Sequence, residues 1–325
     1  MARHHGRSAG PVRCGAAHVS STLGAVHATW VEGDGTAITG IGPVAGRMVT
    51  AAEAAALRDP DRSEPMVEEI CAEALAELGP LDLATFEGPD LGDPQPVAGN
   101  GQIVAEVLEI PVIWNLRAAD LEFGGQGGPI GGFGLLAVAR FLGLPGPAAL
   151  IELDRAATLT WVDPGAEDDS AALMAFDAGP GPAGPLTDGD ASGPLGTGFF
   201  YRMPPRRWDR AAEAAVGGAP RTALCAEALL DALEYLPAAP RTLWLAGPGR
   251  GAAGLSDRLA RGSGLEVRPI DEAGLDGEAL APAALAHLAL RVRAGLPVTA
   301  PSLTGVRAAI GGATRSSPGV IPLSG

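Results

Sequence analysis

Two groups of residues in this chain have types and spacings suited to chemistry. The first is Arg117 and Asp120, followed by the turn Gly124-Gly125-Gln126-Gly127-Gly128. Glycines in such a turn reach backbone angles closed to other residues and let a ligand approach the main chain. An Arg and an Asp just ahead of it could grip a polar ligand. A surface connection in which the two simply pair would read the same way, and a short Gly-rich match does not decide between them. The second group is Asp177, which follows an apolar run ending in Phe176 and opens Ala178-Gly179-Pro180-Gly181. A carboxylate at a strand end beside such a turn is placed to act as a general base, if its surroundings tune it. The bland alternative is an Asp that caps the turn.

The elements that must position these residues follow from periodicity. Val12 to Val19 and Ala25 to Val31 read as strands joined by Ser20-Ser21-Thr22-Leu23-Gly24. Met48 to Leu57 and Val67 to Leu78 read as helices. In the second, Val67, Ile70, Cys71, Ala74, Leu75 and Leu78 form one apolar stripe, which is core packing. Leu81 to Phe86 is a strand, and Ile110 to Trp114 feeds the central glycine turn. Phe133 to Leu142 leaves that turn as a helix. Ala148 to Leu153 and Thr158 to Val162 make a second hairpin, with Asp154-Arg155 as a surface turn between them. Ala223 to Leu236, Leu255 to Ala260 and Ala284 to Ala294 are helices. Arg241 to Ala246 and Leu265 to Arg268 are strands. A Gly/Pro-rich passage, 178 to 220, carries a basic island of Arg202, Arg206, Arg207 and Arg210; its simpler reading is a balance for the acidic surface. Paired strands, crossover helices and glycine loops in separate halves suggest two similar α/β domains around a cleft.

The segment Arg-Ala-Ala-Asp-Leu-Glu-Phe-Gly-Gly-Gln-Gly-Gly-Pro, 117 to 129, resembles the distinctive signature of the anhydro-N-acetylmuramic acid kinases. Three further matches follow in order: Gly99-Asn100-Gly101-Gln102, Asp177-Ala178-Gly179-Pro180-Gly181, and Pro301-Ser302-Leu303-Thr304-Gly305. The resemblance implies an α/β fold of two actin-like domains, of the acetate and sugar kinase type, around a central cleft. Residues 12–120 would form the first and 121–315 the second, with 1–11 and 316–325 as loose ends. It implies ATP-dependent hydrolytic ring opening and phosphorylation of 1,6-anhydro-N-acetylmuramic acid. Asp177 would be the catalytic base. Arg117, Asp120, Gly124, Gly125, Gln126 and Gly127 would hold the amino sugar or order the cleft. Ser21, Thr22, Gly179, Gly181, Gly247 and Gly249 would touch ATP, accompanied by Mg²⁺; no residue is assigned to the metal.

Departures from the family pattern concentrate where phosphate would sit. The first phosphate loop has lost its tight-turn glycine to Ser20 and both acidic positions, to Gly24 and His27. In the second, Asn-Ile-Gly-Gly has become Glu152-Leu153-Asp154-Arg155, and a carboxylate facing phosphates is repulsive. Phosphoryl transfer depends on positioning and charge neutralisation. A second reading therefore stands beside the enzyme: a catalytically inactive relative, binding a sugar or a protein partner with no cofactor at all.

Bulk properties exclude other classes. The chain has 325 residues, formal charge −15, and 23 basic residues that are all arginine. Such an acidic chain repels nucleic acid and anionic membrane, and no run approaches a membrane span. Three cysteines without metal spacing, Cys14, Cys71 and Cys225, fit a reducing cytoplasm. The resemblance also allows a homodimer.

Overall fold

The computed structural model of the chain describes residues 11–92, 99–182, 198–217 and 220–319. Of the loose ends expected at 1–11 and 316–325, residues 1–10 and 320–325 lie outside the described residues, as do 183–197 and 218–219 of the Gly/Pro-rich passage. The chain opens with a meander of β1 (Val12–Val19), β2 (Ala25–Gly33) and β3 (Ile38–Ile41), and β4 (Ala45–Met48) folds back onto β2. Helices α1 (Ala51–Arg58) and α2 (Ser63–Ala76) lead to β5 (Leu83–Glu87). Helix α3 (Gly101–Leu108) then connects to β6 (Val112–Trp114). Helices α4 (Ala118–Glu122) and α5 (Gly132–Phe141) bridge to a second meander, β7 (Ala148–Leu153), β8 (Ala156–Val162) and β9 (Leu173–Pro180). Helices α6 (Arg210–Val216) and α7 (Arg221–Ala232) follow, then β10 (Thr242–Ala246), α8 (Leu255–Ser263) and β11 (Glu266–Pro269). The chain closes with α9 (Leu280–Ala294), α10 (Pro301–Thr304) and β12 (Thr314–Ser316).

The two sheets repeat one topology. Each runs third, second, first, fourth, fifth: β3-β2-β1-β5-β6 in one and β9-β8-β7-β10-β11 in the other. The first three strands are antiparallel, and the later strands lie parallel to the first. The fold is α/β, two actin-like halves, and the repeat sets the turn β1–β2 and the turn β7–β8 in equivalent places. The chain does not divide once at residue 120. Helix α9 packs on β1, β2 and β5, and β12 pairs antiparallel with β6. A division into 12–120 and 121–315 therefore separates strands that are hydrogen-bonded in one sheet.

Helices α5 and α9 lie against each other between the sheets, and nearly every residue of α9 from Leu280 to Val292 is buried. Their approach needs Gly134, because a Cβ there would stand 2.3 Å from the Ala284 carbonyl oxygen. The α2 stripe is core as expected: Val67, Ile70, Cys71 and Leu75 are fully buried. Two of the helix starts that differ from expectation have local reasons. Helix α1 starts at Ala51, because Thr50 and Glu53 form a capping box and Met48 belongs to β4. Helix α9 starts at Leu280, and Pro282 sits in its first turn, where the missing N–H has no intrahelical partner to lose. Ser316 is not loose: it pairs with Val112 in the first sheet.

Candidate active site in the cleft between the halves

The cleft wall is built from both halves. His18, Ser21, Glu87, Asp90 and Arg117 come from the first; Glu152, Asp154, Arg155, Thr158, Asp177 and Arg207 come from the second. Asp177 sits in β9, in register with Thr158 of β8, which is in turn in register with Glu152 of β7. Both Asp177 carboxylate oxygens are held. Thr158 Oγ1 donates to Oδ1 at 2.7 Å, and the Trp208 backbone N–H donates to Oδ2 at 2.7 Å. Burial pushes Asp177 above the usual carboxylate range; the two hydrogen bonds and Arg207 pull it back, while Asp90 pushes it further up. A carboxylate tuned this way suits a base.

Arg206 fixes the backbone beneath this base. Its Nε donates to the Asp177 carbonyl at 3.2 Å, and the Asp177 N–H donates to the Arg206 carbonyl at 3.0 Å. Its guanidinium stacks 5.0 Å from Phe199, 5.3 Å from Tyr235 and 5.5 Å from Phe176. Arg206 is 1 % exposed and Arg207 8 %. The expectation that this arginine island balances the surface is therefore wrong for these two. The aromatic cluster of Phe199, Phe200 and Trp208 draws Arg206 inward, and Asp90 draws Arg207 into the cleft at 2.7 Å. Burial disfavours the charge on Asp90, but Arg117 and Arg207 beside it hold its carboxyl below the usual range.

Arg117 reaches the cleft as expected, donating to Glu87 at 2.5 Å and to the Gly127 carbonyl at 2.6 Å. Asp120 and Gly124, Gly125, Gln126 and Gly127 do not line it. Asp120 is 1 % exposed. It accepts from the Gly127 N–H at 2.7 Å and from Thr299 Oγ1 at 2.9 Å, with Thr304 Oγ1 alongside. Gln126 donates to the Pro205 carbonyl at 2.7 Å. The signature is thus a clasp that ties the glycine turn to the Pro-Ser-Leu-Thr-Gly turn and holds Arg117 in the cleft wall. Asp120 and Gln126 are engaged within that clasp. Gly125 is needed because a Cβ there would stand 2.2 Å from the Asp120 carboxylate.

The residues expected to touch nucleotide divide. Ser21 lines the cleft, and the Ser21 and Thr22 N–H groups face the opposite turn. They are taken by Asp154, whose carboxylate accepts from Ser21 at 2.6 Å and Thr22 at 3.1 Å. Asp154-Arg155 is therefore not a surface turn. Arg155 donates to the carbonyls of Asp90 at 2.9 Å and Trp208 at 3.0 Å, and its own carbonyl accepts from the Gly181 N–H at 2.8 Å. Gly181 serves this packing: a Cβ there would lie 1.7 Å from the Asp154 carbonyl oxygen. Gly179 packs toward Ala228 and Phe200, away from the cleft. Gly247 and Gly249 sit in a short 3-10 turn that abuts Leu153 and Pro182, with Arg250 engaged by Asp271 and Glu278. His27 lies on β2 with Nδ1 3.5 Å from Glu278.

In this arrangement the amides expected to take a nucleotide's phosphates hold the Asp154 carboxylate instead.

No family model matches the chain. Curated proteins do. The chain is 32 % identical to the anhydro-N-acetylmuramic acid kinase of Ruegeria sp. (strain TM1040), over 95 % of this chain and 96 % of that protein. It is 35 % identical to that of Cereibacter sphaeroides, over 93 % and 95 %. The chain belongs to the anhydro-N-acetylmuramic acid kinase family. To anhydro-N-acetylmuramic acid kinase 1 of Jannaschia sp. (strain CCS1) it is 36 % identical over 80 % of each. Among solved structures, the ROK hexokinase of Thermus thermophilus overlaps it with a TM-score of 0.36 at 14 % identity, covering 83 % of this chain and 97 % of that one.

Within that family frame, the first phosphate-loop turn keeps its amides but fills them from β7–β8. The cleft-lining residues that the sequence did not assign to the site include Asp90, Arg207, Glu152 and Thr158. One signal was present: Glu152 is a lone acid in the otherwise apolar strand Ala148–Leu153, and an isolated charge in a buried strand is costly unless it has a task.

Proposed function

We propose that this protein acts on 1,6-anhydro-N-acetylmuramic acid, opening its anhydro ring with water and, as the word kinase in its relatives' name suggests, phosphorylating the sugar, with ATP and Mg²⁺ as the donor. The observation that carries this is the tuned Asp177 carboxylate in a cleft lined by Arg117 and Arg207, in a member of this family. Asp177 takes the proton of the water that attacks C1. Arg117 and Arg207 are cations able to pair with the sugar's lactyl carboxylate, and the burial of the site keeps that pairing strong. ATP would supply a phosphoryl group to the freed oxygen; its phosphates reach the Ser21–Thr22 amides only when Asp154 withdraws.

The test is turnover of the anhydro sugar with Mg-ATP, followed by NMR of the sugar. Asp177→Asn should lower ring opening by roughly 10²- to 10⁴-fold, the usual contribution of a general base, with little change in melting temperature. Ring opening at the parent rate in that variant would overturn the assignment.

A further inference from the structure

Breaking the C1–O6 bond of an anhydro sugar needs two partners. Water must lose a proton as it attacks C1, and O6 must receive an electrophile as it leaves. A phosphoryl group is one such electrophile; a proton is the other. The cleft holds a second carboxyl group on the same face as Asp177. Glu152, Thr158 and Asp177 stand side by side on three adjacent antiparallel strands, Glu152 opposite Thr158 and Thr158 opposite Asp177. All three line the cleft, and Thr158 turns its hydroxyl to Asp177. Two strand spacings put the Cα atoms of Glu152 and Asp177 about 10 Å apart. Inverting glycoside hydrolases place their acid and base carboxyls at ~6.5–9.5 Å, leaving room for a water on the face opposite the leaving group.

From this geometry we infer that the protein hydrolyses the anhydro bond without nucleotide, with Glu152 as the general acid and Asp177 as the general base. The inference rests on the sugar substrate of the preceding reading and not on its use of ATP. In the step, the water oxygen bonds to C1 and its proton passes to Asp177. The C1–O6 bond breaks with its electron pair going to O6, and the Glu152 proton joins O6. The product is the free, unphosphorylated sugar, and the two carboxyls exchange their proton through solvent. Two further observations agree. Asp154 holds the amides of Ser21 and Thr22, so the chain itself occupies that end of the cleft. Glu152 also holds its proton near neutral pH. Burial, then Glu87, Asp154 and Asp177, push it up to about 7; His18, Arg117, Arg155 and Arg207 line the same cleft.

The test incubates the full chain, cleared of nucleotide, with 1,6-anhydro-N-acetylmuramic acid and follows the anomeric protons by NMR. Unphosphorylated N-acetylmuramic acid should appear, with the α anomer first, because attack opposite O6 inverts C1. Glu152→Gln should slow this at least ~100-fold and abolish the loss of rate above about pH 7, while Glu152→Asp, whose carboxyl is set back one methylene, should keep part of it. No ring opening without nucleotide, alongside phosphosugar with Mg-ATP, would sink this inference and leave the kinase reading standing. Free sugar without nucleotide and no phosphosugar with it would uphold this inference and remove the phosphorylation. An unslowed, folded Glu152→Gln would overturn the role given to Glu152.

Discussion

At the scale of single residues, the site turns on how Asp177 is held. Its carboxylate is buried, which favours the neutral acid, and Thr158 and Trp208 donate to it, which favours the charged base. Removing one donor has a calculable sign. Thr158→Val deletes a hydrogen bond that stabilises the charged form, so Asp177 should titrate higher still. The acid limb of kcat/KM should then move to higher pH by about one unit, the equivalent of one hydrogen bond of ~1–1.5 kcal/mol. A pH profile superimposable on the parent's would show that Thr158 does not tune the base. Asp177 itself was legible in the sequence, because a carboxylate after an apolar run and ahead of Gly-Pro-Gly is a local pattern, although the strand does not end at it and runs on to Pro180. Asp120 was legible as important but not in its role. Nothing in a one-dimensional spacing tells a ligand-binding carboxylate from one that ties Gly127, 7 residues on, to Thr299 and Thr304, 179 and 184 residues away.

At the scale of elements, most strands and helices followed from alternation and the 3.6-residue period, and the second hairpin's first strand matched residue for residue. What alternation could not supply was the meeting of two turns. Asp154-Arg155 reads locally as a surface turn, since both residues are polar and flank apolar strands. It is half-buried against Ser21 and Thr22 only because the repeated topology places the β1–β2 and β7–β8 turns face to face. Likewise, Arg206 and Arg207 look like surface charge until the aromatic cluster of Phe199, Phe200 and Trp208 takes in Arg206 and Asp90 takes in Arg207. The turn-to-turn contact has a consequence for nucleotide. Hydrogen bonds to a charged group contribute ~1.5–3 kcal/mol, and ATP must displace them. Asp154→Gly should therefore tighten Mg-ATP binding about tenfold or more in calorimetric titration. Equal affinities in the two proteins would mean that Asp154 does not compete for those amides.

At the scale of the whole molecule, α9 joins the halves: it packs on the first sheet and against α5. Its centre carries His287, fully buried, with neither ring nitrogen hydrogen-bonded to a described residue. Burial first, and Arg291 next, lower its pKa to about 4, against a pull upward from Asp34 and Asp169. The unfolded chain takes up this proton near pH 6.5, whereas the native chain refuses it until about pH 4. The stability tied to neutral His287 is thus complete above pH 6.5 and is lost as pH falls through that window, on the order of 3 kcal/mol in all. His287→Leu should flatten the pH dependence of the urea midpoint between pH 6.5 and 4, and an unchanged slope would contradict the linkage. For the central claim, that this cleft opens an anhydro sugar with water activated by Asp177, the most direct measurement is turnover in H₂¹⁸O with Mg-ATP present. The account expects one ¹⁸O at C1 of the ring-opened sugar, phosphorylated or not, and almost no product from Asp177→Asn. Product without label at C1, or undiminished labelling in that variant, would contradict it.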